Sequence, residues 1–211
     1  MTSAILLTIL LVPRPAESVT LAWAPQKGDQ SVWSVDIRAK AGDKDIQAQS
    51  SVVQIVTKCN KGTVVIKSTV QDALARTGAD EGRLKRNEAT TYTLDARGLT
   101  VAIEGPQKEV AWRLAPFNRF VWPSGPVAVG DKWAVDTNGD SVVGRAEYKL
   151  DSIDAGVAKV SFVAASLAGD KTTKGQGQWV IDTKAGRAVA LHAEILGLVA
   201  GTATYEMKLV K

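Results

Sequence analysis

Apolar and polar positions alternate with a period of two along most of the chain. The alternation is clearest in three runs: Trp33–Ile37, Val64–Lys67 and Tyr148–Leu150. Side chains two residues apart point to the same face of a β-strand, so each run buries one face and exposes the other to water. The pattern predicts an almost wholly antiparallel fold of about ten strands, with Gly-marked turns and at most two short helices.

The predicted fold class is all-β with minor α content. We expect a strongly curved antiparallel sheet, either a half-barrel or a barrel-like structure, in a single domain over residues 19–211. The order of elements also repeats weakly, since a Gly-Asp pair lies shortly before Trp33 and again shortly before Trp133. The domain is therefore interpreted as two similar halves, at 19–105 and 127–211, joined by an irregular crossover at 106–126.

A unit of aromatic, any residue, aliphatic and Asp occurs five times, ending at Asp36, Asp95, Asp136, Asp151 and Asp182. Its aromatic and aliphatic residues share the core face of a strand, and the Asp lies on the other face. Asp accepts hydrogen bonds from nearby backbone N–H groups and favours the start of a turn. We interpret the unit as a strand ending rather than a repeated binding motif. Asp95, Asp136 and Asp182 fit because Gly follows closely, whereas Asp36 fits poorly because its strand continues.

The alternation breaks in the middle of the chain. Asp72–Glu88 is rich in Gly, Ala and charged residues, which favours a loop with a helical turn. Gln107–Leu114 predicts a short helix that Pro116 prevents from continuing. The apolar and aromatic segment Pro116–Pro123 has no clear period, so we expect an irregular crossover or cap. Its functional interpretation is the lip of an apolar cavity.

A nine-residue apolar run, Ala4–Val12, lies near the start of the chain. It is shorter than the roughly 20 residues that span a bilayer, and it fits the apolar region of a secretory signal. Ala16 and Ser18 supply the small-x-small spacing that signal peptidase recognises, although no Lys or Arg precedes the run. The sequence predicts a signal peptide at 1–18 and a periplasmic or secreted protein with no transmembrane segment after cleavage. The alternative is a buried N-terminal strand.

Charge and cysteine content add little to this picture. The 26 Lys and Arg residues exceed the 22 Asp and Glu residues only slightly. The densest positive stretch, Arg83–Arg86, is typical of a solvated loop, so we expect no nucleic-acid partner. Cys59 is the single cysteine, so it forms no intramolecular disulfide. Its setting predicts a small packed or half-exposed thiol at the end of a strand rather than a nucleophile.

Catalytic motifs are missing from the chain, which has no G-x-S-x-G, P-loop, dinucleotide fingerprint or H-E-x-x-H. The single histidine, His192, alternates with Leu191 and Ala193, so we expect it on the wetted face with Glu194 as its neighbour. Hydrolysis by carboxylates alone needs two acids about 5–9 Å apart, and the scattered acids neither show nor exclude such a pair. The sequence predicts no catalytic residue, metal site or cofactor.

Six tryptophans raise carbohydrate binding as an alternative function, because sugars stack on flat indole faces. Three of them are assigned to the core faces of strands: Trp33, Trp133 and Trp179. The other three remain for a sugar: Trp23, Trp112 and Trp122.

The segment WPSGPVAVGDKWAVD, residues 122–136, resembles a loosely defined group of uncharacterised exported bacterial proteins. In that group P-x-x-x-V-G-D-x-W introduces a second block of antiparallel strands. The similarity includes the W-x-I-D-x-x-x-G hairpin that begins at Trp179, and it covers most of the mature chain. The group implies export but no activity. The architecture is more distantly similar to lipoprotein-carrier half-barrels, which hold acyl chains in a concave apolar face.

Together these features predict an exported, non-catalytic protein that binds a lipid, another apolar or amphipathic ligand, or an envelope surface. The alternatives are a carbohydrate-binding β domain and a carboxylate-based hydrolase. The sequence identifies no ligand-binding residue and no oligomeric state.

Overall fold

The structure, a computed structural model, describes residues 18–60, 62–84, 89–139, 142–199 and 201–211. Within these ranges the chain forms twelve strands and one helix. The elements are β1 (Gln30–Ala41), β2 (Lys44–Asn60), β3 (Thr63–Thr77), β4 (Asp80–Leu84), β5 (Ala89–Asp95), β6 (Thr100–Glu104), α1 (Lys108–Asn118), β7 (Lys132–Asn138), β8 (Val142–Asp154), β9 (Val157–Ala168), β10 (Lys171–Asp182), β11 (Arg187–Val199) and β12 (Gly201–Leu209).

All twelve strands belong to one antiparallel sheet. Eleven of them lie in the order β6-β5-β3-β2-β1-β12-β11-β10-β9-β8-β7, and β4 pairs with β3 outside this path. The sheet curves until its two edge strands, β6 and β7, approach each other, which makes a nearly closed barrel. Curling of this kind removes most of the exposed edge that an open sheet would present. The predicted all-β, barrel-like fold with minor helix is confirmed.

The predicted alternation places the core inside the barrel. Along β8, every second residue from Val142 to Leu150 is buried and the residues between them are exposed. Tyr148 and Leu150 are 1% and 0% exposed, and they pack with Phe120 and Trp179 from other elements. Burial of apolar area at about 25 cal/mol per Å² provides the main stabilising free energy of such a core.

Helix α1 fills one end of the barrel, which we call the closed end. Gly144 in β8 and Gly139 directly after β7 make room for it, since a Cβ at Gly144 would lie 2.7 Å from Pro116 Cγ and one at Gly139 would collide with the Trp112 ring. Arg113 fastens the helix to the wall, because its Nη2 donates to Thr173 Oγ1 at 3.0 Å and to the Gly197 carbonyl at 2.7 Å.

The expectation that Pro116 stops the helix is wrong. Helix α1 begins at Lys108 and continues through Pro116 to Asn118. A proline removes one backbone hydrogen bond from a helix interior. Here Pro116 is buried in the last turn, where its ring packs against Gly144 of β8. Tertiary packing therefore outweighs the local preference of the sequence.

The prediction of a loop at Asp72–Glu88 is also wrong for the part of this segment that the structure describes. β3 continues to Thr77, and β4 returns along it with Thr77 paired to Asp80. The pairing is made by backbone groups, so it accepts the small and charged residues whose composition favours a loop. Arg83 accordingly lies on a strand, whereas residues 85–88 lie outside the described residues.

The strand-ending interpretation of the repeated Asp holds at two of its three best positions. Asp95 Oδ1 accepts from the N–H groups of Arg97 and Leu99, both at 2.8 Å, and Asp182 Oδ1 accepts in the same way in the turn after β10. The strand-ending interpretation is wrong for Asp136, because β7 continues to Asn138 and the Asp136 carboxylate pairs with Arg145 at 3.0 Å.

The predicted signal peptide lies almost wholly outside the described residues. From Val19 onward the chain is attached to the barrel, since the N–H and carbonyl of Val19 both pair with Val127, at 2.8 and 2.9 Å. In the described part of the chain, no helix has the length and apolar character needed to cross a membrane. The division into two similar halves stays a prediction.

Candidate functional site: a cavity at the open end

A cavity of about 380 Å³ opens at the end of the barrel opposite helix α1. Its wall includes Gln30 at the start of β1, Leu209 at the end of β12, and Gly186 in the turn between β10 and β11. The helix instead contacts the first residues of β10 and the last residues of β11. We call the cavity end the open end. Its volume lies at the lower end of the range of small-molecule sites.

The cavity wall is rich in aromatic side chains. Four of the six tryptophans and one phenylalanine line it: Trp23, Trp33, Trp122, Trp179 and Phe120. The Phe120 ring contacts two of the tryptophan rings edge-on. Its centroid lies 4.9 Å from that of Trp122 and 5.9 Å from that of Trp179. Edge-to-face pairs of this kind contribute stabilising free energy beyond that of the apolar area they bury.

The irregular segment after the helix carries two of these rings into the cavity. Its backbone bridges the two edges of the sheet, since the Trp122 N–H donates to the Arg97 carbonyl at 2.9 Å and the Val121 carbonyl accepts from Trp133 Nε1 at 2.8 Å. Gly98 allows the close approach: its φ is +85°, and a Cβ there would lie 3.0 Å from the Phe120 carbonyl oxygen. The segment predicted as a crossover or cavity lip thus contributes Phe120 and Trp122 to the wall.

Arg119, which directly follows the helix, places a guanidinium group inside the barrel. Its Cζ lies 4.2 Å from the centroid of the Tyr92 ring, and its Nη1 donates to Gln54 Oε1 over a long 3.4 Å. Among the described residues, no carboxylate oxygen lies within 4.0 Å of it. Desolvation lowers the pKa of Arg119, and the hydroxyl groups of Tyr92 and Tyr205 oppose that shift.

Two further polar groups in the cavity wall lack partners among the described residues. Trp179 Nε1 and Asn118 Oδ1 are both buried without a hydrogen bond to any described residue, and both residues line the cavity. Burial also raises the pKa of the nearby Tyr205 hydroxyl, which donates to Met207 Sδ at 3.2 Å. Buried polar groups are nearly always hydrogen-bonded. The cavity wall therefore has unused hydrogen-bonding capacity for a polar ligand group.

The rim of the cavity is exposed and polar. Asp29 and Arg187 contribute one charge of each sign.

Cys59 lies next to this rim, and its thiol donates a hydrogen bond to the Pro25 carbonyl, with the sulfur 3.1 Å from the carbonyl oxygen. Cys59 is exposed at the end of β2, so its predicted position at a strand end is confirmed, although it is more exposed than expected.

His192 lies outside the cavity, on the outer face of β11. Its side chain is 59% exposed, and its Nδ1 lies 3.3 Å from Glu206 Oε1 on the neighbouring strand. The predicted wetted position is confirmed. Asp29 is the one carboxylate among the described residues that line the cavity, so no pair of acids for hydrolysis lies there. No cluster of metal-ligating side chains occurs among the described residues.

The tryptophans left for a sugar are mostly not on the surface. Trp112 is 3% exposed at the closed end and Trp122 is 5% exposed in the cavity wall. Trp23 is half-buried beside the cavity. These positions favour a small ligand inside the barrel over a sugar stacked on an exposed indole face.

Sequence reasoning missed Arg119, Gln54 and Tyr92 as members of the site. They lie on three separate elements and meet only because the sheet closes around the crossover segment. A signal was present, since Arg119 is the one charged residue within Pro116–Pro123. A lone charge in an apolar, aperiodic segment between prolines is a candidate for burial.

No protein-family model and no curated protein matches the chain. Two solved structures align with it. Rv2717c from M. tuberculosis is 8% identical over 86% of this chain and 91% of that chain, with a TM-score of 0.39. BF2203 from Bacteroides fragilis NCTC 9343, a predicted exported protein with a YmcC-like fold, is 13% identical over 90% of this chain and 98% of that chain, with a TM-score of 0.37. At these values neither likeness indicates a function for this chain.

Proposed function

We propose that the protein is an exported, non-catalytic binding protein that holds an apolar or amphipathic small molecule in the open-end cavity. The observation that carries the proposal is the wall of the cavity, in which five aromatic side chains surround a space of about 380 Å³. Ligand sites are typically concave, mainly apolar and supplied with a few convergent polar groups. Arg119, Gln54 and Asn118 are such groups here.

Three features favour binding over catalysis. The single histidine is on the outer surface, away from the cavity. The thiol of Cys59 is bonded to a backbone carbonyl. The described cavity wall holds one carboxylate, Asp29, where acid–base hydrolysis needs two. Export is supported by the apolar run and small-x-small site before Val19 and by the attachment of the chain to the barrel from that residue onward.

A neutral fluorescent probe tests the proposed function. N-phenyl-1-naphthylamine brightens in apolar surroundings, and it carries no charge that would draw it to surface lysines. We expect saturable, one-to-one binding accompanied by a change in tryptophan emission, because four of the six tryptophans line the cavity. Absence of saturable binding to the folded protein would refute the proposal.

A pair of matched variants locates the probe. Ala188 lines the cavity from β11, whereas Ala190, two residues further on, pairs with Val180 and is not part of the lining. Ala188→Trp fills the mouth and should weaken probe binding by at least about tenfold, since it displaces probe contacts worth more than 1.4 kcal/mol. Ala190→Trp should leave binding unchanged. Equal effects of the two variants would place the probe elsewhere.

A further inference from the structure

We propose that the cavity ligand is an acidic amphiphile, a molecule with one carboxylate head and an apolar chain, and that its head binds Arg119. This inference rests on the proposed function and adds the chemical class of the ligand. It is carried by three observations: a partly buried cation with no carboxylate partner among the described residues, an unpaired buried N–H donor in the wall of the same cavity, and an apolar remainder of that wall.

Arg119 is a cation in the barrel interior without a counter-ion in the described part of the chain. Removing a charge from water is unfavourable unless an opposite charge or several hydrogen bonds replace the water. Its contacts with the Gln54 amide oxygen and the Tyr92 ring carry no net negative charge. The exposed Arg145 shows the usual arrangement, with Asp136 and Glu147 oxygens at 3.0 and 3.1 Å. A ligand anion would supply the missing charge at Arg119.

Trp179 is an independent indication of an anionic head group on the ligand. Its side chain is 2% exposed and lines the cavity, and its Nε1–H has no acceptor among the described residues. The indole N–H and the guanidinium are both donors only. A carboxylate is an acceptor only, so one head group can satisfy both. Asn118 can present its amide N–H₂ to the same head after a half-turn of the amide, which exchanges its nitrogen and oxygen.

The rest of the cavity suits a hydrocarbon chain. Its wall includes Trp23, Trp33, Met207 and Leu209, and the exposed rim lies at Asp29. Because Arg119 is inside the barrel and the rim is wet, the chain runs from the head towards the open end. The head is therefore the buried end of the ligand.

A carboxylate fits better than either a neutral or a doubly charged head. A guanidinium and a carboxylate are both planar and pair through two parallel hydrogen bonds. One carboxylate balances the single charge of Arg119. A phosphate monoester carries about −1.5 to −2 at pH 7 and would leave excess negative charge in the interior.

Binding of decanoate, 1-decanol and decyl phosphate to the full chain at pH 7.5 tests the inference, with tryptophan emission as the readout. Decanoate should bind about tenfold to a hundredfold more tightly than 1-decanol, the difference expected of a charge-assisted hydrogen bond in the interior. Decyl phosphate should bind more weakly than decanoate. In Arg119→Gln the affinity for decanoate should fall to that for 1-decanol, whereas Arg145→Gln on the outer face should change neither affinity.

Trp179→Phe keeps an aromatic ring and removes only the indole N–H, so it tests the head position even if Arg119→Gln does not fold. It should weaken decanoate binding about three- to tenfold and 1-decanol binding less, because a carboxylate accepts a stronger hydrogen bond from the indole N–H than a neutral hydroxyl does. Equal affinities of the wild type for decanoate and 1-decanol would overturn the inference while leaving the proposed function intact. Tighter binding of decyl phosphate would overturn the choice of head. Failure of all three amphiphiles and of N-phenyl-1-naphthylamine to bind would overturn both proposals.

Discussion

The two ends of the barrel are packed differently, because side chains fill the closed end and leave a cavity at the open end. At the closed end, glycines of β8 and β10 allow the side chains of Pro116 and Phe117 to press against the strands, with Phe117 0% exposed. At the open end, large aromatic rings surround a space of about 380 Å³ instead of filling it. A protein interior is normally packed as densely as an organic crystal. The closed end follows that rule, and the open end departs from it where a ligand is proposed.

Two arginines six residues apart show the same contrast. Arg113 donates to a threonine hydroxyl and a backbone carbonyl at 3.0 and 2.7 Å, although its Nε lacks a partner. Arg119 Nη1 donates a long hydrogen bond of 3.4 Å to Gln54 Oε1, and the guanidinium group lies over the Tyr92 ring. The first arginine fastens the helix to the barrel wall. The second arginine, Arg119, has guanidinium N–H groups without an acceptor among the described residues, as expected of a ligand-binding group.

The largest expected effect separates the two ends by stability. Phe117→Ala removes a fully buried ring from the closed end and should lower the free energy of unfolding by about 3–5 kcal/mol. Trp23→Ala at the half-buried cavity wall should lower it by less than about 2 kcal/mol, because the ring already borders open space. Urea unfolding of both variants measures the difference. Equal losses would mean that the open end is packed as densely as the closed end.

A glycine substitution tests the closed end by adding atoms rather than removing them. A Cβ at Gly139 would collide with the Trp112 ring, so Gly139→Ala should lower the free energy of unfolding by about 1–3 kcal/mol, the usual cost of overpacking. Gly82→Ala is the control, since nothing lies within 4 Å of a Cβ there. Thermal melts should separate the two variants, and a neutral Gly139→Ala would contradict the close packing of Trp112.

Replacing each arginine by methionine should have opposite effects on the unliganded protein. Arg113→Met removes hydrogen bonds that hold the helix, and we expect a loss of about 1–3 kcal/mol. Arg119→Met removes an unpaired interior charge and keeps an apolar stem, so we expect a gain of about 1 kcal/mol. Chemical unfolding without ligand measures both. Comparable losses from the two changes would show that Arg119 has a structural role similar to that of Arg113.

The smallest expected effect lies on the outer surface. His192→Ala should change the free energy of unfolding by no more than about 0.5 kcal/mol, as is usual for exposed positions, and should leave probe binding intact. Its partner Glu206 Oε1 is 3.3 Å away across an exposed strand pair. Loss of binding in a stable His192→Ala variant would move the functional surface from the cavity to the outside of the sheet.

The parts of the fold that follow from local rules could be predicted from the sequence. The strict alternation along β8 gives both the strand and the face that it buries, and Asp95 with Gly98 gives the turn after β5. Two elements could not be predicted in this way. β4 forms because backbone groups pair with β3 whatever the side chains, and the helix passes Pro116 because Gly144 of β8 leaves room for its ring.

The candidate site was less predictable than the fold. Pro116–Pro123 was recognisable as a cavity lip because it is aromatic and aperiodic. The partners of Arg119 were not, because Gln54 and Tyr92 come from strands that only barrel closure brings to the crossover. Local periodicity tells which face of a strand is buried, but it does not tell which buried face borders a cavity.

A crystal structure of the full chain with decanoate tests the central claim most directly. We expect the decanoate chain inside the open end, against Trp23 and Trp33, with a carboxylate oxygen about 2.7–2.9 Å from a guanidinium nitrogen of Arg119, the distance of a charge-assisted hydrogen bond. An ordered structure in which side chains fill the open end, or in which decanoate binds only on the outer surface, would contradict the account.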